Sequence, residues 1–363
     1  MITNAEPLVA LVGATGAIGL RLAEEAVARG WRVRLVGRNR AALYEQSSSL
    51  GDTEWWRVGQ LTEFELETAL AGAALVVNLV GPFSASTSAV LRASLAAGAH
   101  YIDIANEYAP VAHVLGRDAA ARERGVTLMP AVGFGTVATE GLAAHLADRE
   151  RLTRANVAIF PQSSVRSRGA FTSVLGVLAD GGAAIDHGRY RRYALGRRAK
   201  RMLGPTGPTT LIPAATGDLA TIPATLKARF VTSSVGLALP AVAAGAILPF
   251  VSAAARSSVL QRALQRRPLD SSPKPGPFVS YSWARVTDES GASREAWMRA
   301  GEGYAFTVNA LTAAIERVLA GEVRPGAMTA IGGFGSEFLR GLPEVSIHSS
   351  LSDAASGAAD ATP

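Results

Sequence analysis

The apolar run Leu8–Val12 passes directly into Gly13-Ala14-Thr15-Gly16-Ala17-Ile18-Gly19, and the amphipathic stretch Leu20–Arg29 follows. Leu22, Ala26 and the Ile18/Val27 side recur at helical spacing, Gly30 supplies a stop, and Arg32–Val36 reads as a second strand. A turn that holds a pyrophosphate needs glycine at the sharp bend, glycine where phosphate approaches the main chain, and a small residue where helix meets strand. Gly13, Gly16 and Gly19 stand at those three places. The helix that begins there aims its free N–H groups, those of Ala17 and Ile18 among them, and its positive dipole end at the phosphates. Thr15 adds a hydroxyl donor. A tight turn without ligand has the same glycines, but the flanking strand, helix and strand favour a dinucleotide site.

Further strand-like runs lie at Leu75–Val80, His100–Ile104 and Val126–Met129, with helical patterns at Phe64–Leu70, Thr87–Ala97 and Val111–Arg124. Buried strands alternating with helices predict an α/β, Rossmann-type doubly wound parallel sheet. After about Phe134 the rhythm changes. Asn156–Phe160 reads as a strand, Phe278–Val286 and Arg294–Ala300 as a hairpin, and Ala170–Asp180 and Tyr304–Leu319 as helices. The expected organisation is a nucleotide-binding domain over residues 1–135 and an α+β substrate or dimerisation domain over 136–300. A helical segment over 301–345 would pack back on the first domain, and residues 346–363 would be a disordered tail. Arg267–Pro277 is read as a loop.

Composition narrows the chemistry. There is no cysteine, which excludes disulfides, thiolate metal sites and a cysteine nucleophile. The 36 basic residues outnumber 30 acidic ones, yet only Lys200, Lys227 and Lys274 are lysines. Four positions before these stand Gly196, Pro223 and Asp270, so the Tyr-x-x-x-Lys pair of short-chain dehydrogenases is absent. At the end of the second strand, Val36-Gly37-Arg38-Asn39-Arg40 has no acid to accept from a ribose 2′-hydroxyl. Arg38, with Asn39 beside it and Arg40 in reserve, offers a guanidinium for a 2′-phosphate, which favours NADP(H) over NAD(H).

Four motifs together carry a resemblance: the Gly-Ala-Thr-Gly turn with Gly37-Arg38; Val80-Gly81-Pro82-Phe83; Gly98-Ala99-His100-Tyr101-Ile102-Asp103 with Glu107 after it; and Gly133-Phe134-Gly135 before a new helix. Gly301–Thr307 is a weaker echo. The chain resembles the saccharopine dehydrogenase-like reductases, including the branch of trans-acting enoyl reductases. That resemblance implies an NADP-dependent reductase acting on an activated C=C or C=N bond of a hydrophobic or carrier-linked small molecule. The family continues Gly-Phe-Asp-Ser-x-Pro where this chain has Gly135-Thr136-Val137-Ala138, a departure close to the expected substrate position. Val80, Gly81 and Pro82 are expected beside the ribose–nicotinamide portion, with Phe83 as an apolar wall. Tyr101 and Asp103 share one strand face and are the candidate proton donors, with a structural hydrogen-bonding role as the alternative. Arg166 and Arg168 could meet an amino-acid backbone. A non-catalytic NADP(H) sensor or scaffold is the rival from another class.

Phe230–Ala255 contains no charged residue. It is expected to form a broken helix over the substrate cavity or at a homodimer interface, with membrane-surface contact as a second reading and a span as a third. The arginine-rich stretch Arg189–Arg201 reads as a solvated helix face; acidic lipid or an acidic carrier is the alternative, and no module for nucleic acid accompanies it. The N-terminus shows no secretory pattern, so a cytoplasmic protein, with membrane association through 230–255 open, is the expectation.

Overall fold

The computed structural model describes residues 6–51, 53–148, 150–160, 168–257 and 278–356. The first part alternates β1 (Leu8–Val12), α1 (Ala17–Ala28), β2 (Arg32–Gly37), α2 (Arg40–Ser49), β3 (Glu54–Arg57), α3 (Glu63–Leu70), β4 (Leu75–Asn78), α4 (Phe83–Ala96), β5 (His100–Asp103), α5 (Tyr108–Leu115), α6 (Asp118–Glu123) and β6 (Thr127–Met129). These strands are all parallel, and β1 and β4 are buried along their whole length. Apolar side chains on both faces need helices on both faces, which is the doubly wound arrangement expected. The helix read over Val111–Arg124 is two, because the chain turns at Gly116–Arg117 between α5 and α6.

α7 (Phe134–Ala147) leads into a second, mixed sheet. That part contains β7 (Leu152–Phe160), α8 (Arg168–Asp180), β8 (Gly182–Asp186), β9 (Arg189–Tyr193), β10 (Lys200–Gly204), β11 (Gly207–Pro213), α9 (Asp218–Leu226), β12 (Phe230–Leu237), α10 (Ala241–Ala255), β13 (Ser280–Asp288) and β14 (Ser293–Ala300). The chain then returns through α11 (Gly303–Leu319) and β15 (Gly326–Ala327), and ends in α12 (Ala330–Phe334), α13 (Glu337–Arg340), β16 (Ser346–His348) and α14 (Leu351–Ser356). β15 pairs with β6 and so completes the first sheet, in the order β15-β6-β5-β4-β1-β2-β3.

Three expectations are corrected. Phe230–Ala255 is not one broken helix: β12 lies between β11 and β7, and only the part after Pro240 is helical. Val231, Ser233, Ser234 and Gly236 are buried, on both faces of the strand, and their small size hid a central strand. The arginine stretch is not a helix face but two edge strands, β9 and β10, whose arginines face water while Tyr190 stacks on Tyr108 at 3.9 Å between centroids. The tail is ordered further than expected, since β16 pairs with β14 and Ala354 of α14 is buried; residues 357–363, like Arg166 and Arg267–Pro277, lie outside the described residues. Among the described residues no helix is long and apolar enough to cross a membrane.

α7 is buried continuously from Thr136 to Ala143, packed between the second sheet and α9, α11, α12 and α13. It carries Glu140 into the core, where Thr329 donates a hydrogen bond to the carboxyl at 2.7 Å. Asp218, at the start of α9, accepts from Thr139 and Ser233 at 2.6 Å each and from Thr216 at 3.1 Å. Burial pushes Glu140 up to about 7 and Asp218 to about 6. The folded state therefore binds more protons than the unfolded chain from Glu140's usual 4.5 to about 7. Stability is expected to fall as pH rises through that window, by about 3 kcal/mol from Glu140. Glu140→Gln should flatten this part of the profile, measured as urea midpoints across the pH series.

Candidate active site

The turn after β1 hangs on the end of β2, because the N–H groups of Gly13 and Ala14 both donate to the carbonyl of Val36. Gly13 has φ +95°, and a Cβ there would stand 3.0 Å from Val80 Cγ2 and 3.1 Å from the Leu79 carbonyl carbon. Only glycine meets both demands. Gly19 is excluded from change by contact alone, since its Cβ would lie 2.5 Å from the carbonyl oxygens of Gly13 and Ala14. Gly16 differs: its Cβ would approach only the Gly13 oxygen, at 3.3 Å, and otherwise project into open space.

Gly16 is the N-cap of α1 and supplies no side-chain acceptor. The first N–H groups of the helix are thus without a cap, and Gly16 and Ala17 are exposed. Such a start, one helix dipole end over a glycine cradle, fits a diphosphate. Thr15 is half-buried at its edge. Ile18 is buried in the core, so its contribution to a ligand is its N–H and not its side chain.

Arg38 is exposed just past β2, next to this turn. Asn39 is committed elsewhere: its side-chain oxygen accepts from Ala41 and Ala42 N–H and caps α2. At the end of β4, Asn78 is fully buried; its oxygen accepts from Val80 N–H at 3.1 Å and its amide donates to Ser86 and Tyr101. This fixes the half-buried Val80-Gly81-Pro82 corner, in which Gly81–Pro82 is cis, against Gly13. Asn78 escaped the reading of the sequence, although an asparagine ending an apolar strand before Gly-Pro was a visible signal. Phe83 is buried among Ala105, Val111 and Ala131, so it forms core and not the open apolar wall expected.

Tyr101 and Asp103 do share one face, and the Tyr101 hydroxyl donates to Asp103 at 2.8 Å. Both are completely buried, however, and Asp103 spends its other oxygen on the N–H groups of Ala105 and Ala131. Burial raises both pKa values, and the Asp103 charge adds to the rise at Tyr101. The expected proton-donor role is corrected accordingly: this pair is enclosed and holds the exits of β5 and β6 together.

Beyond β5 the two sheets' domains are joined. Glu107 is 3% exposed and accepts from Asn106 N–H at 3.0 Å and from the Ser173 hydroxyl of α8 at 2.9 Å. Burial raises its pKa. Tyr108 N–H donates to Ala215 and Gly217 N–H to Asn106, which adds two main-chain links. Asn106 stands against Gly135, where a Cβ would lie 2.7 Å from its side-chain oxygen. The starts of α7 and α11 meet there through Phe134 and Phe306, ring edge to face at 5.3 Å. Arg21 of α1 pairs with Glu302, the N-cap of α11, at 2.7 Å, and Tyr304 follows, half-buried. Ser173, the second-domain partner of Glu107, had no signal in the sequence, because only the domain contact gives it meaning. The side chain of Arg168 lies outside the described residues.

Residues 9–129 match the family model described as the saccharopine dehydrogenase NADP binding domain. Comparison with curated proteins gave no match. The chain is similar in fold to the apo saccharopine dehydrogenase (L-Glu forming) of Saccharomyces cerevisiae, with 12% identity and a TM-score of 0.63 over 94% of this chain and 99% of that one. An amine dehydrogenase from Mycobacterium smegmatis superposes less well, at 11% identity and a TM-score of 0.45 over 90% and 95%.

Proposed function

From the premise that residues 9–129 are an NADP-binding domain of the saccharopine dehydrogenase type, we propose that the chain is an NADP(H)-dependent reductase of an activated C=C (enoyl) bond in a hydrophobic or carrier-linked small molecule. The observation that carries this reading is the uncapped, exposed helix start at Gly16 beside the free guanidinium position of Arg38. The nicotinamide, when bound, supplies the hydride, and the protein supplies binding, orientation and a dry site. In this reading the N–H groups of Ala17 and Ile18, with the Thr15 hydroxyl, hold the pyrophosphate, while the Gly16 N–H closes the turn on the Gly13 carbonyl at 3.0 Å. Arg38 holds the 2′-phosphate. The Val80–Pro82 corner borders the ribose–nicotinamide portion, and the Phe134–Phe306 pair excludes water.

The preference for an apolar substrate rests on the described groups around the exits of β4 to β6. Phe134 and Pro82 are apolar, whereas Asp103 and Glu107 are already hydrogen-bonded within the protein. An amino-acid substrate would need unengaged charges there. Reduction of a C=N bond is the second reading, favoured by the family of residues 9–129. NADPH consumption measured against enoyl, imine and keto substrates separates the two; no turnover with any, despite NADPH binding, would leave the non-catalytic sensor.

Arg38→Ala is expected to weaken NADPH about 10- to 100-fold, the worth of one or two charge-assisted hydrogen bonds, and to leave NADH unchanged. Titration calorimetry with both nucleotides checks it, and equal losses would move the 2′-phosphate elsewhere.

A further inference from the structure

Charge is segregated along this chain. Residues 151–287 hold 19 Lys and Arg against 4 Asp and Glu, whereas the remainder holds 17 against 26. The second domain is therefore strongly cationic and the rest of the protein anionic. On the cationic part lies α10, fifteen residues long and without a charged side chain. A helix apolar on all sides is ordinarily enclosed. This one buries only the stripe Ala244, Ser252 and Ala255 and packs on α8; Val242 is 86%, Phe250 76% and Ile247 57% exposed.

The arginines stand beside that apolar surface. A Cβ on Gly196 would lie 2.4 Å from the Ala244 carbonyl oxygen, so the turn carrying exposed Arg197 and Arg198 touches α10. Arg192 and Arg256 line a cleft of about 380 Å³ together with Tyr193, Leu195, Pro249 and Ser252. Both guanidiniums are anchored on the end of α8, donating to the carbonyls of Asp180 and Ala179 at 2.7 and 2.8 Å. Asp180 is the acidic residue of that lining. Exposed Lys200, Arg201 and Leu203 continue the same mixture along β10.

We propose that this face docks on an anionic lipid surface, with α10 lying in the interfacial plane and the arginines of β9, β10 and the 197–198 turn on the headgroups. Interfacial helices combine an apolar face sunk at the acyl boundary with basic residues at headgroup level. Here the helix brings the first and its neighbouring strands bring the second. At 1.5 Å per residue α10 is about 22 Å long, and among the described residues no helix is long and apolar enough to cross. A second copy of this chain is a poor occupant, because two faces of like charge would oppose each other. Nucleic acid would use the arginines and leave Phe250 and Ile247 in water. The inference is independent of the reductase reading.

Co-sedimentation of the full chain with vesicles tests it, using phosphatidylcholine alone and phosphatidylcholine mixed with phosphatidylglycerol, at low and high salt. The protein is expected to partition onto the anionic vesicles and to be released by salt. Ile247→Glu with Phe250→Glu should lower partition at least tenfold. Arg191→Gln with Arg192→Gln, Arg197→Gln and Arg198→Gln should do the same and weaken the salt dependence. Unchanged melting and unchanged NADPH affinity show that the variants are folded. Failure to bind anionic vesicles overturns the proposal, as does undiminished binding by the Glu variant. So does a dimer in light scattering that the Glu variant dissolves while the vesicles pellet no protein.

Discussion

Gly16→Val is expected to leave the fold intact and remove NADPH binding, by more than about a hundredfold. The residue has φ −81° and ψ 167°, an extended conformation that valine adopts readily. A valine Cβ would meet only the Gly13 oxygen, at 3.3 Å. The loss of a glycine N-cap for a β-branched residue costs up to about 1 kcal/mol, so folding survives. The two added methyl groups would occupy the space into which the uncapped N–H groups of α1 point. Gly19→Val gives the contrast, because its side chain would collide with two main-chain carbonyls at 2.5 Å and should prevent folding. Circular dichroism melts with nucleotide titrations distinguish the pair. A Gly16→Val protein that keeps its NADPH affinity would place the pyrophosphate elsewhere.

Asp103→Ala should be the more damaging change to stability, with NADPH binding retained by the protein that remains folded. Its carboxylate accepts from the Tyr101 hydroxyl and from the N–H groups of Ala105 and Ala131, all at a site closed to water. Ala131 has φ +62°, a left-handed conformation that a non-glycine residue holds only when its surroundings insist. Deleting the carboxylate leaves these donors unpaired and releases that constraint, at about 3–5 kcal/mol. Thermal melting should drop by about 5 °C, and Asp103→Asn, which keeps one acceptor, should lose less than half as much. Tyr101→Phe tests the same assignment from the catalytic side. It should keep turnover within a factor of a few, and a loss of orders of magnitude would return Tyr101 to the chemistry.

The first domain was legible where its strands are buried on both faces and read as uninterrupted apolar runs, Leu8–Val12 and Leu75–Val77 being the clearest; the edge strand β3, Glu-Trp-Trp-Arg and largely exposed, was not. Its glycines were legible because Gly13 and Gly19 meet backbone demands that no other residue meets, and Gly16 between them leaves open space before the helix. The second domain resisted for a physical reason. β9 is Arg-Tyr-Arg-Arg-Tyr and β12 carries Thr-Ser-Ser at its centre, so neither has the composition of a buried strand. Partners distant in sequence stayed hidden for another: β16 with β14, β15 with β6, and Glu107 with Ser173 are matched only by the closed fold. Tyr101 and Asp103 show the limit from the other side. Alternation placed them correctly on one face, and only packing revealed that this face looks inward.

β15 is two residues long, yet it means that the nucleotide module is not self-contained. Cutting the chain at the boundary of the matched segment, residues 9–129, would strip β6 of its neighbour and α1 of the helix clamped on it through Arg29–Glu316 and Arg21–Glu302. Excision or transplantation of that half should therefore yield an insoluble fragment unless residues 303–327 travel with it. The same stitch makes the far end of the polypeptide a silent contributor to coenzyme affinity, felt by truncation although no atom of it need touch the ligand.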